Sequence, residues 1–274
     1  MTLIFFTSES SLSNNFTRYY LQELKREFPD LLVVSVKKKK VTSLNNRLES
    51  FLKLIKRKWD MWTWGYFIEY FVSYPIKIKL GSLEFHKINR RFGELVSYKE
   101  KELFHDRIIV NSPNGHLTIS EIKRHRPDII IQAGAGLLKQ DIIDIPKLGV
   151  INIHHGIAPL IKGMDSIYWA KWTNNIDWLG ATLHYIDSGI DTGKVIKYIY
   201  PSKTNLYSSS SEIFFELSVN AIDHLRYFLI KLKFPNSNDI ILDDQKNGLY
   251  NYKSSLTGIR MLIILIRDKY RKTK

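Results

Sequence analysis

Asn152 and His154 have the types and the spacing for acyl-group chemistry. They lie two apart at the end of an apolar, β-branched run, Val150-Ile151-Asn152-Ile153. In a strand, residues i and i+2 point to one face, so this spacing presents an amide and an imidazole side by side. A carboxylate follows in a second turn, Asp191 within Ser188-Gly189-Ile190-Asp191-Thr192-Gly193. Glycine in such a turn lets the backbone approach a ligand closely. An amide can stabilise an oxyanion, an imidazole can move protons, and a carboxylate can orient the imidazole and favour its charged form. Each residue also has a structural reading of its own: a histidine at a strand end, an asparagine in a turn, an aspartate closing an Asx turn. Spacing alone does not bring Asp191 to His154.

The surrounding chain reads as the open α/β sheet that would hold such residues at a strand end. Leu3 to Phe6 predicts a buried first strand, residues 16–28 a helix, and Leu31 to Val36 a second strand. A Ser/Asn-rich loop is expected from Ser8 to Asn15, and a short connection from Asp141 to Leu148. Further strands are predicted at 107–110, 128–131, 150–153, 179–186 and 195–200, with helices at 119–126, 166–171 and 208–233, the last taken as the longest. In open α/β sheets the carboxyl ends of the strands border the ligand crevice. Gly134-Ala135-Gly136 is no dinucleotide fingerprint, because the third glycine is missing at its usual spacing. His154 and His155 are neighbours in a strand and point to opposite faces, so no metal site is expected there.

Residues 44–105 interrupt this pattern. Leu48, Phe51, Leu52 and Ile55 form an amphipathic stripe beside Lys53, Lys56, Arg57 and Lys58, and a crowd of aromatics follows from Trp59 to Phe71. A helical hairpin packed on the domain is the simplest reading. An interfacial contact of residues 44–74 with an acidic membrane or partner and base stacking by exposed aromatics are the alternatives. Leu256 to Ile266 predicts a last helix.

Composition narrows the classes. The 274 residues contain no cysteine and carry a net charge of +14. Thiolate nucleophiles, disulfides and Cys-ligated metals are thereby excluded. The charge points to an anionic partner, and the Lys37 to Lys40 run is either a solvated loop or a polyanion contact. The apolar runs are all shorter than the roughly 20 residues a spanning helix needs, and the N-terminus lacks a basic n-region. A cytoplasmic protein, with a membrane-peripheral placement through residues 44–74, is the expectation.

The stretch Asn152-Ile153-His154-His155-Gly156-Ile157-Ala158-Pro159-Leu160-Ile161-Lys162-Gly163 resembles the signature of the folate-dependent formyltransferases. Trp169-Ala170 follows at the family's usual distance. Gly180 to Asp187 resembles the family's G-V-T-x-H strand, Gly189 to Gly193 its aspartate loop, and Pro127 to Leu138 the preceding strand and loop. Gly156 and Lys162 depart from the Ser and Arg of many members. The resemblance implies formyl transfer from N10-formyltetrahydrofolate to an amine, with Asn152, His154 and Asp191 catalytic and no metal. It implies a folate site made by Ala135, Gly136, Leu137 and Leu138 with Ile186, Asp187, Gly189 and Ile190. Lys162, Gly163 and Trp169 fall on the substrate side, and His184 behind the catalytic set.

Within the resemblance, the sugar N-formyltransferases fit best. They formylate amino sugars on nucleotide carriers (dTDP or UDP) for surface glycans such as the lipopolysaccharide O-antigen. Transfer to methionyl-tRNA or a small amino compound, and a basic RNA- or membrane-binding protein without catalysis, are the alternatives. A C-terminal β-barrel like that of methionyl-tRNA formyltransferases is not expected after Lys233, and Gln245 to Tyr250 suits a short extension. The expected architecture is an open Rossmann-like sheet: a catalytic domain at 1–205 with a helical insertion at about 44–105, and a C-terminal helix and short extension at 206–274. A homodimer is implied, and no nucleic-acid partner.

Overall fold

The computed structural model describes residues 1–37, 64–202, 208–234, 252–253 and 257–271. Most of the basic run at 37–40, the stripe at 44–58 and the extension motif at 245–250 lie outside the described residues.

A seven-stranded sheet forms the centre, ordered β3-β2-β1-β4-β5-β7-β8. Its strands are β1 (Leu3–Ser8), β2 (Leu32–Val36), β3 (Arg107–Val110), β4 (Ile129–Ala133), β5 (Val150–His154), β7 (Ala181–Tyr185) and β8 (Val195–Ile199). Strands β3 to β5 in that order run parallel, and β7 and β8 are antiparallel to their neighbours. This is the Rossmann-like α/β class expected from the sequence. A separate two-stranded pair joins β6 (Lys162–Gly163) to β9 (Tyr252–Lys253).

Alternate residues of the parallel strands enter two cores, as burial of both faces requires. Leu3 and Phe5 join Leu21, Leu24, Leu225 and Leu229 on one side. Ile4 and Phe6 join Ile122, Ile142 and Ile143 on the other. The helices that cover the sheet are α1 (Glu9–Leu12), α2 (Asn15–Glu27), α3 (Trp64–Gly93), α4 (Glu100–Leu103), α5 (His116–His125), α6 (Gln140–Ile143), α7 (Ser166–Trp172), α8 (Ser210–Lys233) and α9 (Gly258–Arg271). Helix α8 begins at a capping box in which Ser209 and Glu212 exchange hydrogen bonds.

Three expectations change. The segment from Ser8 to Asn15 holds the short helix α1, started by the Ser8 side chain accepting from Ser11 N–H. The connection at 141–148 begins as helix α6. The longest described helix is α3 with 30 residues, against 24 in α8. Pro75 lies inside α3, where its missing N–H argues against helix; packing against α2, α8 and α9 overrides that local preference. Among the described residues no helix is long and apolar enough to cross a membrane.

Helices α3 and α9 lie close together. A Cβ on Gly258 would collide with the Ser73 carbonyl, and Gly258 N–H donates to Ser73 Oγ at 3.1 Å. Arg260 holds Glu69 through two bonds of 2.9 Å. The far end of α9 is fixed by a buried ion pair, Lys171 Nζ to both oxygens of Asp268 at 2.8 Å.

Candidate active site

Strand β5 ends at His154, and β7 runs back beside it with His184 opposite Asn152 and Thr182 opposite His154. The turn after β7 returns Asp191 to the end of β5. His154 Nδ1 lies 3.3 Å from Asp191 Oδ2, and that oxygen also accepts from Gly163 N–H at 3.0 Å. Asn152 Nδ2 lies 3.3 Å from His184 Nε2. The structure thus joins Asn152, His184, Asp191 and His154 in one cluster.

Hydrogen bonds assign the protons of His184. Its Nδ1 faces the Tyr185 carbonyl at 2.7 Å and must donate. Nε2 is then the acceptor for Asn152 Nδ2, which fixes which way the amide points. Burial pushes the His184 imidazole below its ordinary value, against the pull of Asp191, and a neutral ring suits that bonding. The 3.8 Å approach of His184 Nε2 to Asp191 Oδ1 is therefore no ion pair.

His154 has oxygens on both sides. Besides Asp191 at Nδ1, its Nε2 faces the Ile161 carbonyl at 3.2 Å and Ser166 Oγ at 3.4 Å. Burial lowers its pKa, while Asp191 and the Ile161 carbonyl favour the charged ring. His154 is 8% exposed, and the oxygens at both ring nitrogens are surroundings that fit the imidazolium. Gly156 makes room for it, because a Cβ there would come within 2.6 Å of His154 Nε2.

Two cavities flank this cluster. The smaller, of about 290 Å³, reaches Asn152, His184 and Asp191 and is walled by the loops at 136–138 and 186–192. Asn114 braces the first loop, donating to the Leu137 carbonyl at 2.9 Å and accepting from Lys139 N–H at 2.7 Å. Gln132 donates to the Gly136 carbonyl at 3.0 Å. In the second loop Asp187 Oδ1 accepts from Gly189 N–H and Thr192 Oγ1. The larger cavity, of about 490 Å³, reaches His154, Gly163 and Ser166 and is walled by α3, α7, the first turn of α8, and Met261 of α9.

Gly136, Leu137, Leu138, Ile186, Asp187, Gly189 and Ile190 line the smaller cavity, whereas Ala135 turns into the core. Gly163 lines the larger cavity. Trp169 packs with Ile161, Met261 and Ile264 in a buried cluster, since on α7 it is Ser166, Ile167 and Tyr168 that face the cavity. Lys162 is buried and lines neither cavity; burial lowers its pKa, opposed by Asp191 and Asp187. The glycines of the aspartate loop serve chain closure: a Cβ on Gly193 would collide with the Tyr185 carbonyl, and one on Gly189 with Thr192. His155 points away from His154, stacks on Phe214 at 4.2 Å and bonds Ser218 Oγ at 2.8 Å. Sequence reasoning missed Asn114, Gln132, Ser166 and Glu84. The last sits on one face of α3 with Lys77, Gly81 and Ile88, a spacing of four, three and four that could have marked it.

Comparison with known proteins is consistent across sequence and structure. Residues 103–204 match the family described as Formyl transferase. The methionyl-tRNA formyltransferase of Clostridioides difficile is 39% identical over 79 residues, 28% of this chain and 25% of that protein. That of Thermodesulfovibrio yellowstonii is 30% identical over 162 residues, 56% of this chain and 51% of that protein. The chain thus spans a quarter to a half of the length of these curated relatives. A sugar N-formyltransferase from Shewanella sp FDAARGOS_354 shares the fold over 98% of this chain and 87% of its own, at TM-score 0.51 and 14% identity. The N-formyltransferase from Helicobacter canadensis, solved with folinic acid and dTDP-3-aminofucose, does so over 92% and 70%, at TM-score 0.50 and 16% identity.

Proposed function

From a chain whose residues 103–204 belong to the formyl transferase family, we infer an enzyme that moves a formyl group from N10-formyltetrahydrofolate to the amine of a nucleotide-linked amino sugar. The observation that carries this reading is the His154–Asp191 pair standing between two cavities, one for each substrate. The smaller cavity offers main-chain groups of two braced loops and the exposed apolar side chains Leu137 and Ile190 to a flat heterocycle. The larger cavity receives the amine.

Asn152 donates one amide hydrogen to His184 and has a second for the developing oxyanion. In its neutral form, with Nδ1–H toward Asp191, His154 takes the proton of the attacking amine at Nε2. Asp191 stabilises the resulting imidazolium through Nδ1, and that charge faces the oxyanion. As the new C–N bond forms and the bond from carbon to the folate nitrogen breaks, His154 hands the proton to that nitrogen. The products are a formamide and tetrahydrofolate, and His154 is neutral again.

The whole-chain likeness to a sugar N-formyltransferase supports the sugar acceptor. The curated relatives favour a second one, methionyl-tRNA. Incubation with N10-formyltetrahydrofolate and a panel of nucleotide-linked amino sugars plus methionyl-tRNA, read by mass spectrometry, decides between them. Gain of one CO on one panel member is expected, lost in His154→Ala and Asn152→Ala. Transfer at the wild-type rate in either variant would sink the mechanism.

A further inference from the structure

The larger cavity holds a carboxyl group that the chemistry above does not use. Glu84, on the inner face of α3, is 3% exposed. Its Oε1 accepts from Lys87 Nζ at 2.8 Å. Its Oε2 is buried with no hydrogen-bond partner among the described residues. Ser210 Oγ, in the first turn of α8 and in the wall of the same cavity, is also buried and unpartnered. Native interiors leave few polar atoms in that condition, and two of them in one cavity wall mark a place that a bound group completes. Lys87 is no reason to bury a carboxylate: its side chain is 64% exposed, and such a pair contributes little.

The charge around the cavity says which group. Asp165 and Lys77 also line it and pair with each other at 3.1 Å, so among the described residues each of the two carboxylates has one lysine partner and the wall carries no excess of positive charge. Such a wall has no spare cation for a phosphate, and the unpartnered Glu84 Oε2 calls for a hydrogen-bond donor. We propose that Glu84 is a specificity residue for the acceptor, its carboxylate accepting hydrogen bonds from an ammonium or hydroxyl group next to the amine that is formylated. This rests on the formyl-transfer reading. The phosphates of a nucleotide carrier then lie outside this cavity, and the insertion helix selects the acceptor by its uncharged or cationic end.

The test uses the full chain with Glu84→Leu, Glu84→Asp and Lys87→Met. The acceptor is dTDP-3-aminofucose or methionyl-tRNA, whichever the wild type formylates. A lost charge-assisted hydrogen bond raises the acceptor KM roughly 30-fold in Glu84→Leu, and less in Glu84→Asp. The kcat and the KM for N10-formyltetrahydrofolate stay within about threefold, and Lys87→Met behaves as wild type. An unchanged acceptor KM in Glu84→Leu overturns the proposal. Melting of the proteins alone is the second measurement: Glu84→Leu should melt at or above the wild-type temperature, because an unsatisfied group is removed. A fall of several degrees shared by Lys87→Met would make Glu84 structural and overturn it. If the wild type formylates nothing, it is the formyl-transfer reading that fails, and the melting comparison still decides the role of Glu84.

Discussion

Replacing Asp191 by Asn removes one negative charge and little else. Asparagine keeps the size and an oxygen that can accept from Gly163 N–H, so β6 and the loop should stay in place. The lost charge stood 3.3 Å from His154 Nδ1. At an effective dielectric constant of about 20, a unit pair at that distance interacts by about 5 kcal/mol. Both groups are largely buried, with side-chain exposures of 9% and 14%, so screening by water takes a small part. The new amide dipole and local relaxation recover a further share, leaving about 2–4 kcal/mol lost from the imidazolium that forms during transfer. That slows formyl transfer roughly 30- to 1,000-fold. The loss should fall on kcat, with the folate KM nearly unchanged, because the charge appears only as the reaction proceeds. Steady-state rates with the acceptor found by mass spectrometry, together with the melting temperature as a check on folding, measure it. A folded Asp191→Asn enzyme within threefold of the wild-type kcat refutes the assignment of His154 as a charged intermediate held by Asp191.

His155 makes the fold acid-sensitive. Burial, and then the neighbouring His154, push its pKa down from 6.5 to about 3. Between those values the unfolded chain binds the proton more readily. This stability is therefore fully present above pH 6.5 and is lost as the pH falls, at about 1.4 kcal/mol per unit. His155→Phe preserves the stack on Phe214 and should flatten urea stability by that slope between pH 6.5 and 5; parallel curves for the two proteins would contradict the burial argument. Lys171→Met leaves Asp268 facing an apolar side chain, at a cost of about 3–5 kcal/mol. Thermal melting reads this directly, and the double variant Lys171→Met with Asp268→Leu should recover most of it. A melting temperature unchanged in the single variant would show that the α9 ion pair carries no stability.

The sheet was legible because its parallel strands must be apolar on both faces, and runs such as Leu3 to Phe6 and Ile129 to Ile131 announce that need. Asn152 and His154 were readable from period two alone. The nearness of Asp191 was not: it depends on β7 returning antiparallel along β5 and on the turn that follows. Chain-closing collisions, invisible in sequence, explain glycines 189 and 193 that the sequence suggested for ligand approach. Trp169 shows the limit of reading by residue type, since one position on a helix decides between cavity and core. Helix α3 was obscured by Pro75 and by aromatics that hide its periodicity. Glu84 went unseen because the spacing that groups it with Lys77, Gly81 and Ile88 emerges only once α3 is read as one continuous helix.

The crossing of α3 and α9 at Ser73 and Gly258 has a wider meaning. Both helices lie outside the segment that matches the family, yet they share one wall of the larger cavity. On the function proposed above, the reaction and the choice of who receives the formyl group would then be written on different stretches of chain. At that crossing Gly258 sets its backbone directly against Ser73, whose hydroxyl accepts the Gly258 N–H, so a shift of either helix is passed to the other. A lineage could change its acceptor by small adjustments in this paired wall while the strand bearing Asn152 and His154 remains untouched.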